Sequence, residues 1–251
     1  TVAEALTDLY EQAHDERHIS VPLKIKLNHS EDPAERQSLL RRLADLGERI
    51  AGDPTLAFNY YRQAFTEDHT QADTRENMFR LGEAIGAWTE QIESLRAAIE
   101  KYGTDPDSIP LRLKLAEIYE KRSSDLEAAL AANQAVLEIN AEEATALTSL
   151  ERLFLALGRE EDLLNVLRTK LSLADNDDDR RAIQTRIGSI HEQLGHVENA
   201  VTAYEAVLAT GVEDPTVLAA LDRLYLGQGK WIELADILRR ELAVTAADQA
   251  E

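Results

Sequence analysis

The sequence has no cysteine and is poor in aromatic residues, proline and glycine. The lack of cysteine excludes disulfides, thiolate chemistry and cysteine-ligated metal centres. Aromatic residues make up 5% of the 251 residues, and 6 prolines and 11 glycines leave few obligatory turns. Runs of β-branched residues of strand length are also missing, whereas leucine and alanine, both strong helix formers, supply most of the apolar side chains. These features together predict an all-α fold.

The sequence also lacks a long apolar run and an excess of positive charge. No stretch approaches the ~18–20 apolar residues that a membrane-spanning helix needs, so we predict no membrane insertion. The 27 Lys and Arg against 47 Asp and Glu give a formal net charge of −20. Such a surface repels phosphate backbones, so we predict no nucleic-acid partner. The location stays open between the cytoplasm, which we slightly favour, and the periplasm. Because the chain opens at Thr1 without Met, we expect a fragment of a longer protein.

Internal repetition is the most informative feature of the sequence. Residues 138–171 align without a gap on residues 209–242 at an offset of 71, and earlier copies align at offsets of 143 and 144. Identical residues at the offset of 71 include Leu147, Leu150, Arg152, Leu153, Leu167 and Leu171, which match Leu218, Leu221, Arg223, Leu224, Leu238 and Leu242. At the larger offsets, Trp88 and Leu95 match Trp231 and Leu238, and Leu23 and Leu27 match Leu167 and Leu171. The long period is therefore about 72 residues.

Each long period is predicted to contain four helices. Within residues 141–211 we expect helices over about 142–157, 160–174, 178–194 and 197–210, because Leu and Ile recur there at three- and four-residue spacing. Short connections predict antiparallel hairpins, which must stack because one hairpin cannot bury its apolar face alone. We predict a single solenoid over residues 1–251 with hairpins at about 1–29, 32–67, 71–102, 106–139, 142–174, 177–210 and 213–246.

The sixth hairpin carries a family resemblance. A small, a bulky, an alanine, an aromatic and a small residue stand in turn at Gly188, His191, Ala200, Tyr204 and Val207, and this spacing resembles that of tetratricopeptide repeats. Related positions, to which we assign the packing between repeats, are Ala44, Ala57, Tyr61, Ala116, Tyr119 and Ala129. In the fourth hairpin one residue is inserted and Asn133 replaces the aromatic residue. The hairpins between these are degenerate, so the chain alternates good and degenerate repeats, and we expect a bacterial source.

The resemblance implies a right-handed α-solenoid whose concave groove binds peptide segments or partner domains. The function predicted from it is a non-catalytic scaffold with a protein or peptide partner of unknown identity. The alternative is a structural spacer of a larger repeat protein that self-associates through the solenoid ends. In that alternative the C-terminal end exposes Leu234, Ile237 and Leu238.

One polar pattern marks a candidate binding surface. Arginine recurs on the first helix of the long period and glutamate on the third, in the order Glu48, Arg80, Glu120, Arg152, Glu192 and Arg223. We expect these residues to face the groove as a ladder of alternating charge. The structural interpretation is a set of ion pairs that fixes the register between hairpins. The functional interpretation is a polar track along which the arginines bind carboxylates or backbone carbonyls of a peptide.

The remaining motifs indicate no enzyme, metal site or cofactor. His14 and His18 are spaced as in a zinc-protease helix, but the segment aligns with a turn and Asp15 stands where that motif has its glutamate. Asp175, Asp177 and Asp179 alternate like the start of a calcium loop, but Arg180 stands where that loop has its glycine, so helix capping is the better explanation. Trp88 and Trp231 recur in register, which predicts packing between helices.

Overall fold

The structure is a computed structural model that describes residues 2–248, with side chains described for residues 2–245. The described residues form fourteen α-helices and no strand. The first eight helices are α1 (Val2–Gln12), α2 (Ser20–His29), α3 (Pro33–Arg49), α4 (Pro54–Glu67), α5 (Ala72–Ile85), α6 (Trp88–Tyr102), α7 (Ile109–Ile118) and α8 (Leu126–Leu137). The others are α9 (Ala144–Leu157), α10 (Glu160–Leu173), α11 (Asp177–Gln193), α12 (Val197–Leu208), α13 (Pro215–Gln228) and α14 (Trp231–Asp248). The predicted all-α fold of helix hairpins is confirmed.

Local chemistry explains where the helices begin and end. The carboxylates of Asp32, Asp53 and Asp214 accept hydrogen bonds from the first free backbone N–H groups of α3, α4 and α13, and each of these helices has proline at its first position. Asn176 caps α11 in the same way. Gly158 ends α9 with a left-handed φ of 63°, as glycine at this position allows without strain. The four helices predicted within residues 141–211 are observed with bounds within two residues of the expected ones.

The chain divides into two compact units, Thr1–Ile139 (unit 1) and Asn140–Glu251 (unit 2). Within unit 1, helices α1 to α8 pair as hairpins, and each hairpin packs on the next through the contacts of α2 with α3, α4 with α5, and α6 with α7. Within unit 2, the hairpins α9–α10, α11–α12 and α13–α14 are joined by the contacts of α10 with α11 and α12 with α13. A single solenoid over the whole chain and its right-handed twist remain predictions.

An irregular turn marks the residue inserted into the fourth hairpin. Residues Tyr119–Ser123 continue α7 as a π-helix, and Ser124 follows with a left-handed φ of 52°. A π-turn holds one more residue than an α-helical turn, so it accommodates the insertion without changing the face that α7 presents to its neighbours. The sequence pattern locates the insertion, and the backbone shows how it is absorbed.

Close approach of helices within a hairpin depends on small residues. At Gly188 in α11, an added Cβ atom would lie 2.6 Å from Cε1 of the buried Tyr204 in α12, so only glycine leaves room for the ring. The positions to which the sequence assigns repeat packing are buried at Ala44, Ala57, Tyr61, Ala116, Ala129, Ala200 and Tyr204, and Tyr119 is half-buried. Asn133 is buried as well, and its Nδ2 donates to the Ala129 carbonyl at 2.9 Å.

Candidate partner-binding face

Consecutive first helices of the hairpins are joined by arginine–glutamate pairs, and we call the surface that carries these pairs the first-helix face. In unit 1, Arg80 on α5 donates to Glu48 on α3 through Nη1–Oε1 and Nη2–Oε2, both at 2.7 Å. This two-bond geometry lowers the pKa of the Glu48 carboxyl, with the hydrogen bonds from Arg80 as the main cause. Glu48 and Arg80, the first two residues of the predicted ladder, therefore form a planar, charge-assisted ion pair.

Unit 2 contains the corresponding pair. Arg223 on α13 donates to Oε1 of Glu192 on α11 from Nε at 3.0 Å and from Nη2 at 2.6 Å. The hydroxyl of Tyr204 donates to the other carboxylate oxygen at 3.4 Å. Burial and the Glu192 charge raise the pKa of Tyr204. The pair is thus connected to the aromatic residue that packs the hairpin.

The third predicted pair spans the two units. Glu120 lies in the π-helical turn of unit 1, and Arg152 lies on α9 in unit 2. A pairing of Glu120 with Arg152, and a single ladder of six residues, stay predictions.

Four further pairs join consecutive first helices or the turns beside them, and sequence reasoning missed them. They are Arg42 with Glu11 at 2.7 Å, Arg49 with Glu16 at 2.8 Å, Arg122 with Glu83, and Arg186 with Glu151. In every pair described on this face, the glutamate belongs to the earlier hairpin and the arginine to the later one. The sequence signal is a glutamate followed by an arginine 31 to 39 residues later, about one hairpin along.

Apolar side chains are also exposed beside the arginines of unit 2. Leu155 lies one turn after Arg152 and is 60% exposed, and Leu226 lies one turn after Arg223 and is 55% exposed. The two leucines occupy equivalent repeat positions, 71 residues apart. Both side chains therefore lie outside the buried core of unit 2.

The motifs that resembled metal sites have other structural roles. His18 contacts Asp15 through Nδ1 and Oδ2 at 2.7 Å within the turn between α1 and α2. The acidic run at 177–179 forms the first turn of α11. Among residues 2–248, no three His, Asp or Glu side chains are grouped as a metal would need. Over the same residues, no helix has the length and apolar character to cross a membrane.

Two sequence predictions about packing are wrong in part. Trp88 is half-buried under the Arg122 guanidinium, 4.8 Å from its ring centre, but Trp231 is 66% exposed because no later hairpin covers it in the described chain. Leu234 and Ile237, predicted to be exposed, are buried because they face the core that α12 and α13 share with α14. Leu238 is exposed as predicted.

Stacked antiparallel hairpins with a charged, partly apolar face define a helical-repeat scaffold. Residues 146–181 match a family of tetratricopeptide repeats. None of the curated proteins matches the chain. One chain of the structure of Naa15/Naa10 bound to HypK-THB is similar in fold, with a TM-score of 0.57 and 14% identity over 97% of this chain and 36% of that one. A MamA structure has a TM-score of 0.46 and 20% identity, over 70% of this chain and 92% of MamA. The structure of Pseudomonas aeruginosa PilF has a TM-score of 0.43 and 15% identity, over 95% of this chain and 96% of PilF.

The chain is therefore a tetratricopeptide-like helical repeat protein. Repeats of this family generally serve as protein–protein interaction scaffolds and are generally non-catalytic.

Proposed function

We propose that the protein is a non-catalytic scaffold whose first-helix face binds a segment of a partner protein. The observation that carries this proposal is the pairing of exposed leucine with arginine at equivalent positions of α9 and α13 in unit 2. Leu155 and Leu226 provide apolar anchors, and Arg152 and Arg223 supply N–H donors next to them. Affinity would come from the apolar anchors, and the charged groups would select the partner and its register.

The arginine–glutamate pairs also support this assignment. Arg80 and Arg223 are more than half exposed although both are paired, so the pairs hold the guanidinium groups in a fixed direction without burying them. An ordered arginine loses less side-chain entropy when it binds a carboxylate or a backbone carbonyl than a free one does. The same pairs fix the register of the hairpins, so the structural and the functional interpretations of the ladder are compatible.

The test is a comparison of bound proteins captured by four versions of the chain. Wild type is compared with a variant in which Arg80, Arg152 and Arg223 become Glu, and with a Leu155→Asp/Leu226→Asp variant. Arg96→Glu is the matched control because Arg96 is an exposed arginine on a second helix, α6. We expect quantitative mass spectrometry to show one set of partners lost from both face variants and kept by the control. If both face variants retain every partner, the first-helix face is not the binding surface.

A further inference from the structure

A cavity of about 300 Å³ lies in unit 1 between α2, α3 and α4, and we call it the α2–α3 cavity. Its walls are mostly apolar and include Leu43, Leu46, Ile50, Leu56 and Tyr60. Leu43 and Leu46 belong to the buried core that α2 shares with α3, so the cavity reaches down to this core. Its mouth lies at the turns that join α1 to α2 and α3 to α4. A cavity of this size is large enough to hold a ligand group.

Two small residues leave the cavity open. Ser20 on α2 and Gly47 on α3 both line it. The repeat offset of 144 places Leu164 and His191 at the equivalent positions of unit 2. These two side chains are 0% and 5% exposed, so they fill the place that Ser20 and Gly47 leave empty. The cavity is therefore a local departure from the repeat, between hairpins that are otherwise packed in the same way.

The hairpins between these two copies follow the filled pattern. At an offset of 72, Ile92 and Tyr119 stand at the positions of Ser20 and Gly47, and both are half-buried. Gly47 also serves the packing of α3 on α4, since an added Cβ atom would lie 3.3 Å from the Ala57 backbone nitrogen. Ser20, the first residue of α2, is therefore the better position at which to fill the cavity by substitution.

The mouth of the cavity carries two cations. Arg17 and Lys24 line it and are exposed, and within residues 2–245 neither side chain has an ion pair or a hydrogen bond. Glu16 lies beside them, but Arg49 binds both of its oxygens, at 2.8 and 3.0 Å. The residue equivalent to Arg17 in unit 2 is Glu161, so the sign of the charge is reversed where the cavity is open. In a chain of net charge −20, this is a place that attracts an anion.

Shape and charge together define the chemistry of the occupant. Unit 2 fills the equivalent place with an aliphatic side chain, Leu164, and a ring, His191, so a leucine or an aromatic side chain has the right size. A peptide that inserts such a side chain keeps its neighbouring residues at the mouth. Aspartate or glutamate there would meet Arg17 and Lys24 in charge-assisted hydrogen bonds. An apolar anchor in a pocket with charges at its rim is the arrangement that gives a peptide both affinity and register.

We propose that the α2–α3 cavity is a docking site for an acidic segment of another protein. The segment inserts one leucine or aromatic side chain beside Ser20 and Gly47, and its adjacent carboxylates bind Arg17 and Lys24. This site uses none of the leucines and arginines on which the proposed function depends.

The test begins with a phage-displayed library of random linear peptides, selected on the wild-type chain and counter-selected on Ser20→Leu. We expect the recovered peptides to share a leucine or an aromatic residue next to aspartate or glutamate. Fluorescence anisotropy then measures the affinity of a labelled synthetic copy. Ser20→Leu, which supplies the side chain of position 164, should weaken binding by about tenfold or more. Ser20→Ala is the matched control, because it removes the hydroxyl but keeps the cavity, and it should bind as wild type does.

Charge variants test the mouth of the cavity. Arg17→Glu and Lys24→Glu should each weaken the peptide about fivefold, the effect of one exposed ion pair. Lys26→Glu makes the same charge change on α2 outside the cavity, so it should have little effect. The Leu155→Asp/Leu226→Asp variant should retain the peptide, which separates this site from the first-helix face.

Three results would overturn the proposal. The first is that the library yields no peptide that distinguishes wild type from Ser20→Leu, and the second is that the recovered peptides carry no acidic residue. The third is a mass in light scattering that rises with concentration and that Ser20→Leu abolishes, because the occupant would then be a second copy. Ser20→Leu should not lower Tm, since it fills a cavity. If it does, the Gly47 amide signal of the wild-type chain decides, because bound peptide must shift it in NMR spectra.

Discussion

Substitution of Gly188 by alanine tests how the hairpin α11–α12 is packed. The added Cβ atom would lie 2.6, 2.7 and 2.9 Å from three ring atoms of Tyr204, all closer than side-chain carbons approach in proteins. The ring is buried against α13, so it has no free space to move into. Overpacking of this kind costs about 1–3 kcal/mol. Alanine recovers about 1 kcal/mol through its higher helix propensity, so we expect a net destabilisation of up to ~2 kcal/mol.

Differential scanning calorimetry measures this effect directly. For a domain of this size, 1 kcal/mol corresponds to ~2–4 °C in Tm, so Gly188→Ala should lower Tm by up to ~8 °C. Gly227 provides the matched control, because it also lies in a helix but an added Cβ atom meets nothing within 4 Å. Gly227→Ala should therefore raise Tm by ~2–4 °C through helix propensity alone.

A second variant isolates the contact itself. In a Tyr204→Ala background the clashing ring is gone, so Gly188→Ala should become neutral or stabilising. If Gly188→Ala raises Tm in the wild-type background as Gly227→Ala does, the close approach of α11 and α12 at this point is refuted.

Three further predictions concern charge, pH and packing. In a double-mutant cycle, the coupling free energy between Glu48→Ala and Arg80→Ala should be at most ~1 kcal/mol because the pair is exposed. Salt at about 1 M should reduce this coupling free energy by screening, and an unchanged value would contradict the prediction. Burial lowers the pKa of His191, and the charges of Arg168 and His196 are smaller causes. The unfolded chain therefore binds the proton more readily than the folded chain does. The free energy of unfolding should fall as pH drops below about 6.5, the ordinary pKa of histidine. His191→Gln should flatten that dependence in urea titrations at pH 5 and 7. Leu95→Ala should cost ~2–5 kcal/mol, whereas Leu238→Ala should cost under about 0.5 kcal/mol because Leu238 is exposed. Equal costs would show that Leu238 is covered.

Much of the local structure is predictable from the sequence. Helix type and bounds follow from leucine periodicity and from capping residues such as Asp214 and Gly158, which act on their own backbone within a few residues. The pairs Glu48–Arg80 and Glu192–Arg223 are predictable because the repeat brings equivalent residues to equivalent places. The pairs of Arg49 with Glu16 and of Arg186 with Glu151 are not predictable in this way, because Glu16 and Glu151 do not recur every 72 residues as Glu48 does.

The burial of a side chain, in contrast, depends on which helix packs against it. The sequence by itself determined the repeat, the all-α class and the positions of the arginines, because periodicity and capping are properties of neighbouring residues. Only the tertiary structure decided that Tyr119–Ser123 absorbs an insertion as a π-turn, and that Leu234 is buried while Leu238 four residues later is not. Leu95 and Leu238 occupy equivalent repeat positions, and their burial differs because α7 covers Leu95 whereas no described helix covers Leu238. Burial is a property of the neighbours that a repeat has in space, and a repeat pattern alone cannot specify them.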